Sequence, residues 1–222
     1  MKSVVLLSSG LDSTVNFYEA LSHGEVKLAL TFDYGQRAAS KEVACSQKIA
    51  QEKKVLHKVV KLDFFRDFGK SSLVDIQKSL PLKEQVSIDD EQTSQKTARS
   101  VWVPNRNGIF LNVAAGFAEA LGADTVVPGF NLEEAATFPD NSQGFLDQLT
   151  KSFSFSTSNQ VKSFCFTTQL NKTEIVKRGL ELKVDFKNIW PCYQALDIWC
   201  GQCESCQRAR RAFEANGLRF PQ

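Results

Sequence analysis

Only two histidines, His23 and His57, occur in 222 residues, and neither stands in a nucleophile–base pattern, so a hydrolytic triad is not expected. An excess of one charge is missing as well. Lysine and arginine number 27 against 25 aspartate and glutamate, and a formal +2 gives no field to attract nucleic acid or an anionic membrane as the main partner. No apolar run reaches the ~18 residues that a membrane helix needs. The first residues also lack the basic-then-apolar pattern of a secretory signal. The chain is therefore expected to be soluble and cytoplasmic, with small molecules as partners. Internal repeats and low-complexity tracts are absent, and so is the Gly-x-x-x-x-Gly-Lys-Ser/Thr mononucleotide loop.

What is present begins at the first strand-to-helix junction. The apolar run Val4-Val5-Leu6-Leu7 leads into Ser8-Ser9-Gly10-Leu11-Asp12-Ser13 and then, from Thr14, into a helical stretch. Small residues there let backbone N–H groups approach phosphate oxygens, and the following helix points its positive end at them. The hydroxyls of Ser8, Ser9 and Ser13 add donors, and Asp12 is placed to help hold a magnesium ion. Leu7 to Thr14 is thus the expected nucleotide-binding stretch.

Strand signals at 3–7, 26–32, 55–62, 124–130 and 161–166 alternate with helical segments, which predicts an α/β fold: a parallel sheet with helices on both faces. A helix is expected from about Asn107 to Leu121, where Phe110, Ala114, Phe117, Ala118 and Leu121 share a face. Asn171-Lys172-Thr173-Glu174 reads as a capped helix start, with Glu174 a capping partner rather than a catalytic acid. A last helix should run from Glu204 to Ala215 and stop at Asn216-Gly217. Residues 69–100 are polar without sustained periodicity and are expected to form a mobile flap. The length suits one substantial core, taken as 1–185, with a small lobe at 186–222.

Three polar clusters fall where such a sheet binds ligands, beyond the carboxyl ends of strands. Phe32-Asp33-Tyr34-Gly35-Gln36-Arg37 closes the second strand, and Asp33, Gln36 and Arg37 are nucleotide-site candidates, although Asp33 and Arg37 could equally form a surface ion pair. Val103-Pro104-Asn105-Arg106-Asn107 puts Arg106, a fixed fork for carboxylate or phosphate, at a helix start that Asn107 either caps or leaves to read a ligand. Gly129-Phe130-Asn131 and Phe138-Pro139-Asp140 combine aromatic and polar groups suited to a purine-like base. Asn131, Phe138 and the acids Glu133, Glu134 and Asp140 are candidates for it, while a run of acids in a loop is also simply solvated.

Cys192-x7-Cys200-x2-Cys203-x2-Cys206 supplies four thiolates, enough to close a tetrahedral structural zinc site. The compact part resembles iron–sulfur ligation, but the Cys-Pro that ends the bacterial ferredoxin run is missing. Cys45 and Cys165 are expected to be buried, inert thiols.

The loop at 8–13 resembles the Ser-Gly-Gly-x-Asp-Ser loop of the PP-loop ATP pyrophosphatases, which adenylate a substrate and release pyrophosphate. The series formed by that loop, Phe-Asp-Tyr-Gly-Gln-Arg, Val-Pro-x-Arg-Asn, Gly-x-Asn with Pro-Asp, Asn-Lys-Thr-Glu-Ile-Val and the four cysteines looks like the 7-cyano-7-deazaguanine synthases of the queuosine pathway, nearly end to end. The resemblance implies a Rossmann-like domain, one zinc per chain and a homodimer. It also implies an ATP- and magnesium-dependent reaction in which 7-carboxy-7-deazaguanine and ammonia give the nitrile through an adenylated acid and an amide. Carried onto this chain, Ser8, Ser9, Gly10 and Ser13 would bind pyrophosphate and Asp12 magnesium. Arg106 would steady phosphate or carboxylate, and Asp33, Gln36, Arg37 and Asn107 would line the nucleotide or base site. Ser9 stands where the family has glycine, which requires an unstrained φ and a side chain turned away from the phosphate. Glu134 to Asn141 stands where the family usually reads Asp-Tyr-Ser-Gly-Tyr-Pro-Asp-Cys, a loss of hydroxyls at roughly 1 kcal/mol per hydrogen bond. A related ligase that stops at the amide, or passes the acid to another amine, is the alternative.

Overall fold

Nearly continuous burial along the first strands, with successive residues facing opposite cores, sets the architecture. In β1 (Lys2–Leu6) Val4 turns to one apolar cluster and Val5 to the other. In the computed structural model, which describes residues 1–69, 71–88 and 90–220 without the side chains of residues 91 and 94, β1 is the middle strand of a five-stranded sheet. Helix α1 (Leu11–His23) leads to β2 (Glu25–Asp33), and α2 (Ala39–Glu52) leads to β3 (His57–Lys61). The chain continues through α3 (Glu91–Val101), α4 (Arg106–Ala120), β4 (Thr125–Val127), α5 (Leu132–Ala135), α6 (Gln143–Ser156), β5 (Lys162–Ser163), α7 (Lys172–Glu181) and α8 (Glu204–Ala215). All strand pairs are parallel, as the alternation of strand and helix signals predicts, and the strands lie in the order β3-β2-β1-β4-β5.

Each face of the sheet carries its own core. Val15 and Phe17 of α1, Ile49 of α2, Ile175 of α7 and Phe213 of α8 pack on one side, joined by Trp190 and Trp199. Phe110, Leu111 and Ala114 of α4 with Leu146 and Phe153 of α6 cover the other, where Phe32 stacks on Phe110 at 4.1 Å. Strand order reverses between β1 and β4, so the connections splay apart there and leave a crevice over their carboxyl ends. Among the described residues no helix is long and apolar enough to cross a membrane.

The segment expected as a flap is held at several points. Helix α3 occupies its end, capped by Asp90, which accepts from the Thr93 N–H at 2.7 Å. Leu73, Leu80, Val86, Ala98 and Val101 are buried. Those apolar residues are spaced too widely for periodicity to reveal them; residues 70 and 89 of the segment lie outside the described residues.

Candidate active site and metal centre

The Ser/Gly loop closes the crevice from β1. Gly10 caps α1 in an extended conformation with no side-chain bond, so no side chain occupies the N–H groups of the helix's first turn. Ser13 Oγ accepts from the Ser8 N–H at 3.2 Å and donates to the Gly10 carbonyl at 3.1 Å, fixing the loop's curl. Ser9 corrects one expectation: its φ is +59°, in the left-handed region, not an unstrained one. The cost of that backbone, roughly 1–2 kcal/mol, is offset locally. Its buried hydroxyl donates to the Ser8 carbonyl at 2.6 Å, and its own carbonyl accepts the Trp190 N–H at 2.8 Å. Across the crevice, Gly129 comes so near that a Cβ on it would lie 2.4 Å from the Ser13 nitrogen; only glycine lets β4 end against the loop.

Charges line the floor. Lys172 Nζ bonds Asp12 Oδ2 and lies 2.8 Å from Glu134 Oε1, and Asn131 Nδ2 donates to the same Asp12 oxygen at 3.2 Å. Asp12 Oδ1 is buried with no partner among the described residues. Burial, with Glu134 adding, pushes the Asp12 carboxyl up to about 6 against the pull of Lys172. Burial also works against charged Glu134 and Lys172, but Lys172, with Arg208 and Asn131, keeps Glu134 below its usual range, and Asp12 and Glu134 keep Lys172 above its own. Behind them Glu133 accepts from the Lys172 N–H at 2.9 Å and from Arg208 at 2.8 Å. Arg208 in turn grips Glu204 at 2.9 and 3.1 Å.

On the facing wall Arg106 donates to the Tyr34 hydroxyl and to Asn107 Oδ1, each at 3.3 Å. No carboxylate among the described residues pairs with it, which leaves guanidinium donors for an anion. Asn105, not Asn107, is the N-cap of α4; Asn107 is buried and donates to the Asp140 carbonyl at 3.5 Å.

Of the residues singled out from sequence, Leu7, Ser8, Gly10, Leu11, Asp12, Ser13, Arg106, Asn107, Glu134 and Phe138 share one cavity. Ser9, Thr14 and Asn131 are buried behind it. Asp33, Gln36, Arg37 and Asp140 do not line it. Asp33 accepts from the Gly35 N–H at 3.2 Å, and Asp140 from Asn141 Nδ2 at 3.2 Å. Arg37 is committed to the carbonyls of Ser72 (2.8 Å), Asp75 (2.9 Å) and Lys78. The cavity adds residues that sequence reasoning missed: Tyr34, Glu42, Lys172, Tyr193, Glu204 and Arg208. For Lys172 there was a signal. It opens α7, where a cation opposes the helix dipole, so an acidic partner elsewhere had to justify it.

The four cysteine sulfurs lie within 4.8 Å of one another. Tetrahedral zinc with ~2.3 Å bonds needs sulfurs ~3.8 Å apart, so the set fits with small adjustment. Backbone N–H groups of Gln194 and Cys200 point at Cys192 Sγ, and those of Gln202 and Cys203 at Cys200 Sγ, all at 3.4 Å, the surroundings a thiolate needs. Cys203 is the N-cap of α8, so the cluster also sets where Glu204 and Arg208 enter the cavity.

The profile of queuosine biosynthesis protein QueC matches residues 2–217. The chain belongs to the QueC family. A family relative from Bdellovibrio bacteriovorus, named 7-cyano-7-deazaguanine synthase, is 61% identical over 218 residues, covering 98% of this chain and 94% of that one. One of the same name from Methanosarcina mazei is 43% identical, covering 100% of this chain and 97% of the other. The solved structure of NMN synthetase from Francisella tularensis is similar at a TM-score of 0.51 and 14% identity, over 98% of this chain and 77% of that one, which speaks for the fold alone.

Proposed function

We propose that this QueC-family chain is an ATP-dependent 7-cyano-7-deazaguanine synthase that adenylates its acid substrate in the crevice over β1 and β4. The chain is an enzyme of queuosine biosynthesis, a carbon–nitrogen ligase. The observation that carries the site reading is the convergence in one cavity of the Ser/Gly loop, Lys172 and the fork of Arg106, which no carboxylate among the described residues pairs with. A carboxylate oxygen is a poor leaving group, and adenylation makes it a good one. As the acid attacks the α-phosphorus, negative charge grows on the departing pyrophosphate. The loop N–H groups with the hydroxyls of Ser8 and Ser13 and the Lys172 ammonium are preorganised to stabilise it. Ser9 and Gly10 contribute through the backbone, and Arg106 holds phosphate or carboxylate.

Ammonia then forms the amide, and a second adenylation on the amide oxygen followed by loss of AMP gives the nitrile. With no nucleophilic side chain required, positioning supplies much of the rate. Asn107, Asn131, Glu134, Phe138 and Asp140 are assigned to the substrate side, and Asp33, Gln36 and Arg37 support the nucleotide side. Magnesium fits Oδ1 of Asp12, which has no partner among the described residues, and there it would neutralise phosphate charge. Zinc fits the four thiolates, which leave it no open position, so its contribution is structural. The same reading takes the protein as a cytoplasmic homodimer acting on small molecules, not on nucleic acid or membranes. The relatives' shared name favours the nitrile over a reaction that stops at the amide. Incubation with ATP, ammonia and 7-carboxy-7-deazaguanine should yield the nitrile mass; an amide alone, or no product, overturns the assignment.

A further inference from the structure

Four carboxylates line the cavity, and three are matched by a cation: Asp12 and Glu134 by Lys172, Glu204 by Arg208. Glu42 is the exception. It projects from α2, half-buried, and its Oε2 accepts from Gln36 Nε2 at 2.7 Å, while Oε1 has no partner among the described residues. Gln36 is itself locked. Its Oε1 accepts the Tyr34 N–H at 2.9 Å, and its Nε2 also donates to the Phe32 carbonyl at 3.0 Å, so its remaining donor is aimed at Glu42. A side chain fixed by two backbone groups and spent on one carboxylate is a positioning device. The groups that bear on Glu42 are Gln36, Asp33 and Tyr34 from the end of β2, Arg106 from α4, and Cys45 on its own helix. Burial, with Asp33 adding, pushes the Glu42 carboxyl up to about 7, against the pull of Gln36 and Arg106.

We propose that Glu42 receives the ammonium ion at the cavity wall and takes its proton, releasing ammonia as the nucleophile, with Gln36 as its positioning residue. The proposal rests on the reading that ammonia attacks an adenylated acid. Ammonium predominates at neutral pH and has no lone pair to attack with, so one group must both attract the cation and accept its proton. A carboxylate that burial holds above its ordinary range, bonded by Gln36 and matched by no cation among the described residues, does both. The proton passes to Glu42, the nitrogen lone pair forms the C–N bond, and the bond from the acyl carbon to the bridging oxygen breaks. AMP leaves with that electron pair, and the second proton shed by nitrogen goes to water.

The test separates activation of the acid from attack by the amine. In Glu42→Gln, pyrophosphate exchange into ATP that depends on the acid should stay within ~3-fold of the unaltered enzyme. The kcat/KM for ammonium should fall ~100-fold or more. Hydroxylamine, which is unprotonated at neutral pH, should retain most of its turnover. Gln36→Ala, which removes a bond to ionised Glu42, should move the rise of the ammonium-dependent rate to higher pH. An unchanged kcat/KM for ammonium overturns the proposal. So does a loss of exchange as large as the loss of amination, which would make Glu42 a contact for nucleotide or acid. Failure of exchange in the unaltered enzyme sinks the adenylation reading instead, and this proposal with it.

Discussion

The two long walls of the cavity are held by different physics. The wall at residues 7–13 and 129–130 hangs from β1 and β4, whose Val4, Val5, Val126 and Val127 are fully buried between two cores. Sheet hydrogen bonds and apolar burial fix it from both sides. The wall at residues 190–209 reaches the cavity through a stretch, 190–203, with no strand or helix, and residues 195–198 are exposed. Four cysteines and two buried tryptophans hold that stretch. The sheet-borne wall should therefore survive conditions that dismantle the cysteine-borne one.

Removing the metal is the largest expected break in that comparison. Stripping it with a chelator, or changing Cys203 to Ser, should lower the melting temperature by ~10 °C or more and abolish turnover. Even a third of the ~10–16 kcal/mol that structural zinc supplies is several times what shifts a domain of this size by ~2–4 °C. Tryptophan fluorescence from Trp190 and Trp199 should report the change. If melting and turnover were both unaffected, the second wall would stand without its metal.

Lys172→Met attacks the opposite wall at its floor. It strands Asp12 as an uncompensated buried acid, which costs ~3–5 kcal/mol, takes the bonded cation from half-buried Glu134, and removes a cation from the phosphates, for a ~10²–10³-fold loss in turnover. Without the lysine both carboxyls titrate higher, so the destabilisation should shrink as pH falls from 7 to 5. A deficit in thermal unfolding independent of pH would mean that the acids are not stranded. Glu42→Gln should act more gently and with the opposite sign. A folded pKa raised from 4.5 to about 7 gives stability that is complete below 4.5 and lost as pH rises through 7. Removing the charge should thus raise the melting temperature a few degrees at pH 8 and little at pH 5, measured by calorimetry.

The same contrast explains what could be read from the chain. The loop at 8–13, the strand and helix alternation around it and the four cysteines were legible because each is compact in sequence and its chemistry follows from residue type and spacing. Helix α8 was legible to the residue, since its closing Asn216-Gly217 is local. The charge network was not. Lys172 meets Asp12 from 160 residues away and Arg208 meets Glu133 from 75, and no periodicity encodes such pairs. Arg37 shows the same limit: nothing in Asp-Tyr-Gly-Gln-Arg reveals that its guanidinium donates to carbonyls of the 72–78 loop.

Ser9 offers the smallest and sharpest probe of the sheet-borne wall. Ser9→Gly relieves a left-handed backbone but loses the hydroxyl bond to the Ser8 carbonyl, two effects of about 1 kcal/mol that oppose each other. Stability should stay within ~1 kcal/mol of the parent. Ser9→Ala keeps the strain and loses the bond, so it should be destabilised by ~1 kcal/mol relative to the parent. Turnover of both should change only a few-fold, because the hydroxyl faces the Ser8 carbonyl, not the cavity. A large loss of turnover in Ser9→Gly at unchanged stability would place the hydroxyl on the phosphates and make Ser9 more than a hinge of the loop.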